Sequence, residues 1–463
     1  MSAESANSPD LSRPRRVHVI GAGGAGMGAI ASVLHRMGHS VTGSDLKDGP
    51  VAERLRADGI EIVIGHDAGH LGDAELVAIS TAIPDHNPEV KAARERGLDV
   101  LRRGDILPAI SAERRTVAVA GTHGKTTTSS MLALVMVEAE LRPSFIIGGD
   151  VNEIGSGAVW DDGEWFVIEA DESDRTFLSL GAEVALVTNV EPDHLETYGN
   201  DPANLTRAFE EFAEAASTRV MCADDAGSAA LAATVGAVTY GTAEEADYRM
   251  IDIERRRSSV EFTLSHQGED LGRVQLPTPG LHNARNAAAA AVTGLLLGAP
   301  IDAAIRALGR FGGVARRFEF RGEANGVVFV DDYAHLPTEV SAAVEAARDG
   351  DWNRVVCVFQ PHRYSRTAAL WQDFADSFEA ADHLVITDVY ASGETPRPGV
   401  SGKLLVDAVL DAHPWANVAY MPRLDDVQAW LDSRLQPGDL CLTLGAGDLT
   451  AIPDAIIERR RAA

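Results

Sequence analysis

The stretch with the clearest chemical content is Gly121-Thr122-His123-Gly124-Lys125-Thr126-Thr127. It lies between an apolar strand predicted at Thr116–Ala120 and an apolar-periodic helix. Glycines there let backbone amides wrap a phosphate chain, a lysine ammonium offsets its charge, and a threonine hydroxyl reaches Mg2+. The usual phosphate-loop spacing would place glycine at position 119, which is Val119, so this is a compressed form of that loop. Lysine is otherwise scarce, with only Lys47, Lys91, Lys125 and Lys403 among 41 basic residues, so its presence inside a glycine turn carries weight.

Further downstream, Glu169-Ala170-Asp171-Glu172-Ser173-Asp174 and Glu191-Pro192-Asp193-His194 follow strands predicted at Trp165–Glu169 and Val184–Val190. Open α/β sheets bind ligands at the carboxyl ends of their strands, so Glu169 and His194 are expected to converge on magnesium with Thr126. Taken alone, the acidic cluster reads more readily as a solvated loop, and only beside the phosphate loop does the balance reverse. Earlier in the chain, Gly21, Gly23 and Gly26, with Gly24 among them, form G-x-G-x-x-G after a strand at Arg16–Ile20, and Asp45 follows. That turn suits a nicotinamide dinucleotide, a UDP group or no ligand at all. His66, Ser80 and Thr81 fall at neighbouring strand ends, as ligand contacts or as caps. His282 and Asn286 share a helix face and can meet a purine edge or pair locally. Three late clusters, Arg316-Arg317, Asp331-Asp332-Tyr333 with His335, and His362-Arg363 with Arg366, combine guanidinium forks with polar strand ends.

The elements that must position these groups read as three α/β domains, 1–110, 111–314 and 315–463. Strands and helices alternate to about Leu107, and Asp105–Arg115 reads as an exit linker. The second unit carries the phosphate loop. A small antiparallel insertion is expected within Asp247–Pro277, with strands Ser259–Ser265 and Gly272–Leu276 about a turn at Gly268. A buried helix is expected at Ala287–Ala299. The third unit has strands predicted at Val327–Val330, Arg354–Phe359, His383–Val389 and Leu440–Leu444 and helices at Pro337–Arg348 and Thr367–Ala380. The fold class is therefore α/β in three domains, the central one with a parallel sheet and that insertion.

Bulk composition fits this reading. The 463 residues suffice for about three domains at roughly 150 residues each. The apolar share is 45%, the charged share 24%, and a formal charge of -28 argues against general attraction to nucleic acid or an anionic membrane. Cys222, Cys357 and Cys441 are widely spaced without a C-x-x-C pair, which fits reduced thiols in a cytoplasmic protein. The first fourteen residues read as a loose polar tail without the apolar core of a signal peptide.

In their order, GAGGAGMGAIA, GTHGKTTT, EADESD, TNVEPDH, GLHNARN, RRFE, DDYAH, FQPHRYSRT and DVYASGE resemble the Mur ligase superfamily over nearly the whole chain. The resemblance implies a Rossmann-like first domain, a central P-loop ATPase domain and a Rossmann-like third domain, together forming an ATP- and Mg2+-dependent carbon–nitrogen ligase of peptidoglycan precursor synthesis. Its substrates would be UDP-N-acetylmuramate and L-alanine, joined through an acyl phosphate. Carried over by motif, Gly121 to Thr127 with His282, Asn286 and Arg317 would hold ATP, with Lys125 on its terminal phosphates. Thr126 and Glu169 would hold one magnesium and His194 a second. Tyr333, His335, Arg363 and Arg366 would orient the amino acid and reacting phosphate, while Gly23, Gly24, Asp45, His66, Ser80 and Thr81 would contact the UDP-sugar. The chain departs from the family pattern at Leu336, where a second histidine is usual, and at Ala315, where glycine is usual. No lysine lies between Lys125 and Lys403 to serve as the carbamylated magnesium bridge of several relatives, which favours the alanine-adding type. The alternatives are a superfamily member that adds a peptide, an NAD-dependent dehydrogenase using the first glycine turn, and a nucleotide-gated module without catalysis.

Overall fold

The computed structural model describes residues 9–80 and 82–462. Thr81 and the first eight residues of the predicted tail lie outside the described residues. The chain divides into two compact units, one formed by residues 1–251, 264–272 and 286–308, the other by 252–263, 273–285 and 309–463.

Alternating strand and helix patterns of the first unit fold into two sheets. The first contains β1 (Arg16–Ile20), β2 (Ser40–Asp45), β3 (Glu61–Ile64), β4 (Leu76–Ile79) and β5 (Asp99–Arg102), in the order β3-β2-β1-β4-β5 with parallel pairing throughout. After β3 the chain crosses to the other side of β1, which leaves a crevice at the carboxyl ends of β1 and β4. Register then decides what faces it: Ile20 is level with Ser44 and with Ile79, and Asp45 with Ile64.

The second sheet is built on β6 (Arg115–Ala120), β7 (Ser144–Val151), β8 (Ser156–Val159), β9 (Trp165–Glu169), β10 (Val184–Val187), β11 (Thr218–Cys222) and β12 (Val238–Gly241). Their order is β12-β11-β10-β6-β9-β7-β8, parallel except for the β7–β8 pair. Strand β6 thus sits between β9 and β10, with Val119 level with Glu169 and Ala120 with Val187. The helix after β6, Lys125–Glu138, is buried continuously from Thr127 to Met136, as an element with little polar face must be. Strand β13 (Tyr248–Arg256) pairs parallel with β12, and β14 (Ser259–His266) and β15 (Glu269–Leu276) follow as the expected hairpin, with Gln267 and Gly268 at positive φ in its turn. The helix Leu281–Leu296 buries Ala287 to Val292 completely, in line with the apolar run.

In the second unit, β16 (Glu319–Ala324), β17 (Val327–Asp332), β18 (Arg354–Phe359), β19 (His383–Ile386), β20 (Val418–Tyr420) and β21 (Asp439–Leu444) are ordered β16-β17-β21-β18-β19-β20. Only β16 runs antiparallel. Asp332, Leu444 and Phe359 fall in one row, so the loops leaving β17, β18 and β21 emerge together. Valine and isoleucine pack both faces of this sheet, each buried side chain stabilising by roughly 1.5–3 kcal/mol.

Three expectations need correction. Asp105–Arg115 is not an open linker, because Arg103–Ser111 forms a helix whose Ile106, Leu107, Ala109 and Ile110 are buried; this apolar face outweighs the bond that Pro108 forfeits. The predicted helix Thr367–Ala380 is Tyr364–Leu370, after which successive i→i−3 turns carry Phe374 and Phe378 against Phe359. Strand β10 stops at Val187 instead of Val190: the Thr188 amide makes a last bond to the Ala120 carbonyl, and the side chains of Thr188 and Asn189 bond the phosphate loop.

Candidate active site

The phosphate loop owes its shape to two glycines. Gly121 has φ 133° and Gly124 φ 79°, the second in the left-handed region as the residue preceding the helix. A Cβ at Gly121 would come within 2.1 Å of Thr188 Oγ1, and one at Gly124 within 2.7 Å of Asn286 Oδ1. Clamping from the β10 exit completes the loop. His123 donates its amide to Asn189 Oδ1 at 2.8 Å, its carbonyl accepts from Thr188 Oγ1 at 2.5 Å, and the Glu191 amide donates to Thr122 Oγ1 at 2.9 Å. The His123 ring meets Glu191 Oε2 at 3.1 Å.

Lys125 lies under this loop. Its Nζ donates to the Gly121 carbonyl at 2.6 Å and to both oxygens of Glu172 at 2.9 and 3.1 Å. Burial opposes its charge, but Glu172, Asp171 and Glu169 together outweigh that and hold the lysine pKa above its ordinary value. Thr126 Oγ1 donates to Glu169 Oε2 at 3.2 Å, and the Gly148 amide fixes the other oxygen of Glu169 at 2.6 Å. A hydroxyl and a carboxylate beside a phosphate loop fit Mg2+, which takes oxygen ligands, keeps several waters and shares phosphate oxygens. Among the described residues no group of three His, Cys, Asp or Glu side chains is placed to hold a metal ion. His194, at φ 50°, has its ring 3.3 Å from Asp193 and 3.8 Å from Glu196. Thus Lys125, Thr126 and Glu169 come together as the sequence predicts, whereas the contacts of His194 are to its own loop.

Polar strand ends gather likewise in the first sheet. Gly21 and Ala22 donate to the Ser44 carbonyl at 2.8 and 3.1 Å, and Gly23 donates to Asp45 Oδ2 at 2.9 Å. Gly24 precedes the helix Ala25–Arg36, His66 meets Ser44 Oγ at 3.2 Å, and the Ser80 amide donates to Ile20 at the base of the turn. Five of the six predicted UDP-sugar residues therefore converge, and the sixth is the undescribed Thr81. Near the phosphate loop, a cavity of about 440 Å³ is lined by Gly26, Arg103, Gly148 and Glu169.

In the second unit, the guanidinium groups of Arg316 and Arg317 lie 4.9 and 5.1 Å from the Tyr333 ring. Arg316 and Arg363 both have positive φ, 60° and 67°, strain that tends to concentrate at functional sites. His335 Nδ1 is 2.9 Å from the Tyr333 carbonyl, which can only accept, so that nitrogen carries the hydrogen. Arg366 can only donate, so His362 Nδ1, 3.1 Å from it, accepts. Burial, with neighbouring His335, Arg366 and Arg363, pulls the His362 pKa down to about 4. The His362 ring stands edge-on to His335 and parallel to Tyr390. Burial pushes Asp332 up to about 6 despite Arg317 and the amides of Ala334 and Phe318. His282, held near pKa 4 by burial, Arg285 and Arg317, completes the group. His335, Arg363 and Arg366 are thus assembled around His362, and the Tyr333 ring stands edge-on to His335.

Sequence reasoning did not assign Glu172, Thr188, Asn189, Glu191, Glu339 or Tyr390 to the site. For five of these a signal existed, since Glu172, Thr188, Asn189, Glu191 and Tyr390 stand inside EADESD, TNVEPDH and DVYASGE. Glu339, which accepts the amides of His335 and Leu336, looks like an ordinary first-turn helix acid in the sequence.

Three family models match the chain: "Mur ligase family, catalytic domain" over residues 16–115, "Mur ligase middle domain" over 119–294, and "Mur ligase, glutamate ligase domain" over 316–447. A protein of Saccharopolyspora erythraea named UDP-N-acetylmuramate–L-alanine ligase is 46% identical, with 96% of this chain and 94% of that protein aligned. One of the same name from Salinibacter ruber is 42% identical over 98% and 97% of the two chains. Among solved structures, the UDP-N-acetylmuramate-alanine ligase of Thermotoga maritima superposes with a TM-score of 0.80 at 28% identity, covering 97% of this chain and 99% of that one. A murein peptide ligase of Psychrobacter arcticus shares the fold, with a TM-score of 0.66 at 23% identity over 96% and 98% of the chains.

Proposed function

The chain belongs to the Mur ligase family, and from that premise we propose that it joins L-alanine to the lactyl carboxylate of UDP-N-acetylmuramate at the expense of ATP, in the cytoplasmic stage of peptidoglycan precursor synthesis. No helix among the described residues is long and apolar enough to cross a membrane. The observation that carries the reading is the Lys125 cradle: a charged lysine held by Glu172 and a loop carbonyl, beside Thr126 bonded to Glu169.

In this reading the domains divide near residues 110 and 314. The first seats the UDP-sugar on Gly23, Gly24, Asp45, His66, Ser80 and Thr81, the second ATP, and the third the amino acid on Tyr333, His335, Arg363 and Arg366. His282, Asn286 and Arg317 serve ATP. The substrate carboxylate attacks the γ-phosphorus, the bond to the ADP oxygen breaks, and an acyl phosphate forms. Lys125 offsets charge on the phosphoryl oxygens, and the loop amides orient them. Thr126 and Glu169 would hold one magnesium ion and His194 a second, which would add charge neutralisation on the phosphates. The amine of alanine then attacks the acyl carbon, a C–N bond forms, the C–O bond to phosphate breaks, and the amine gives up a proton. Tyr333, His335, Arg363 and Arg366 orient that amine and the departing phosphate.

The test is phosphate release from ATP with and without UDP-N-acetylmuramate and L-alanine, with the product mass measured. Release that needs both, with a product heavier by one alanyl residue, is expected. Preference for a peptide acceptor would move the chain to the recycling branch, and release indifferent to both substrates would refute ligation. A nicotinamide-binding measurement covers the dehydrogenase alternative, which gives the phosphate loop no role.

A further inference from the structure

Beneath the glycine turn of the first sheet lies a buried carboxylate that the proposed reaction does not use. Glu89, in the first turn of the helix Pro88–Glu95, is fully buried. Its Oε2 accepts from Ser44 Oγ at 2.6 Å and from His66 Nδ1 at 3.1 Å, and its Oε1 from His70 Nδ1 at 2.8 Å. The Asp67 amide lies 3.4 Å from Oε1, and His18, itself tied to Thr42, has its Nε2 3.9 Å from Oε2. Burial works to raise the Glu89 pKa, but His18, Ser44 and His70 outweigh it and bring it down to about 2, so the group is a carboxylate.

An isolated ion pair would satisfy this charge with one partner. Here the donors come from the ends of β2 and β3 and from the turn that follows, which are the segments carrying the predicted nucleotide-sugar contacts. Ser44 links the two levels: its hydroxyl is fixed by Glu89 while its carbonyl accepts both Gly21 and Ala22 amides. A carboxylate only accepts, so His66 keeps its hydrogen on Nδ1, and Nε2 is the nitrogen turned away from Glu89. His66 has 9% of its side chain exposed, against 0% for Glu89, so the imidazole reaches the surface and the carboxylate does not.

We propose that Glu89 is a positioning residue for the nucleotide-sugar: it touches no substrate, and acts by fixing the tautomer of His66 and the Ser44 that pins the glycine turn. The inference rests on the UDP-N-acetylmuramate reading above.

The test is steady-state phosphate release by the full chain as wild type, Glu89→Gln, His66→Gln and the double variant. Glu89→Gln is expected to raise KM for UDP-N-acetylmuramate about tenfold, the scale of one charge-assisted hydrogen bond, with kcat and the KM values for ATP and L-alanine changed less than about twofold. The double variant is expected to be no worse than the worse single one, because both break the same link. An unchanged KM for the nucleotide-sugar, an equal rise in KM for ATP, or effects that multiply in the double variant would overturn the proposal. Should Glu89→Gln not fold, Ser44→Ala replaces it with the same expectation, and an unchanged KM there is equally fatal. A wild type indifferent to UDP-N-acetylmuramate would instead bring down the functional reading, and this inference with it.

Discussion

Replacing Lys125 by alanine separates catalysis from stability in a way the structure makes quantitative. The lysine is the partner of Glu172, whose side chain is only 3% exposed. Removing one member of a buried pair leaves an uncompensated charge, which costs about 3–5 kcal/mol unless the survivor takes up a proton. Burial already pushes the Glu172 pKa up, and loss of Lys125 pushes it further. A carboxyl with a raised folded-state pKa binds its proton better in the fold than in the unfolded chain. Its favourable contribution is therefore present at low pH and lost as pH rises, so the stability deficit of Lys125→Ala should shrink on going from about pH 8 to about pH 5. Adding Glu172→Gln removes the stranded charge and should recover most of the lost stability. Turnover should not recover: without the ammonium the barrier rises by about 3 kcal/mol or more, on the order of a hundredfold in rate. Denaturant midpoints at both pH values and phosphate release by the wild type and both variants test this. Near-normal turnover by Lys125→Ala, or its return in the double variant, would remove Lys125 from the chemistry.

Three further outcomes are expected. Gly121→Ala should cripple ATP binding and cost on the order of 2 kcal/mol or more, since a Cβ would collide with Thr188 Oγ1 from a backbone at φ 133°; isothermal titration with an ATP analogue and thermal melting read both. Asp332, with its pKa raised to about 6, should lend stability below about pH 4 that disappears as pH passes 6, about 3 kcal/mol in all, and Asp332→Asn should flatten that slope in pH-dependent denaturation. Arg54→Ala breaks an ion pair to Asp150 whose two side chains are 50% and 51% exposed, so the denaturant midpoint should move by less than the equivalent of about 1 kcal/mol.

Local chemistry was readable in the amino-acid order wherever one short segment carries the whole instruction. Gly121 to Thr127 announces a phosphate loop because the glycines, the lysine and the hydroxyls are neighbours in the chain. Parallel sheets were legible because alternating strand and helix patterns admit few other solutions. Harder to read were departures from regular structure, such as the helix Arg103–Ser111 running through Pro108, or β10 ending early so that Thr188 and Asn189 could grip the loop. These depend on what packs or bonds opposite, which a local pattern does not encode.

Tertiary structure alone decided the partners. That Lys125 pairs with Glu172 rather than any other acid of EADESD follows from β6 lying beside β9 in a particular register. Glu89 looks like a solvated helix acid in the sequence, yet strand order places Ser44, His66 and His70 around it and turns it into a buried anion. Residue types fix which interactions are possible, and chain order fixes those a few positions apart. Which distant groups meet is set by sheet order and register, where a shift of one residue would turn each side chain to the opposite face.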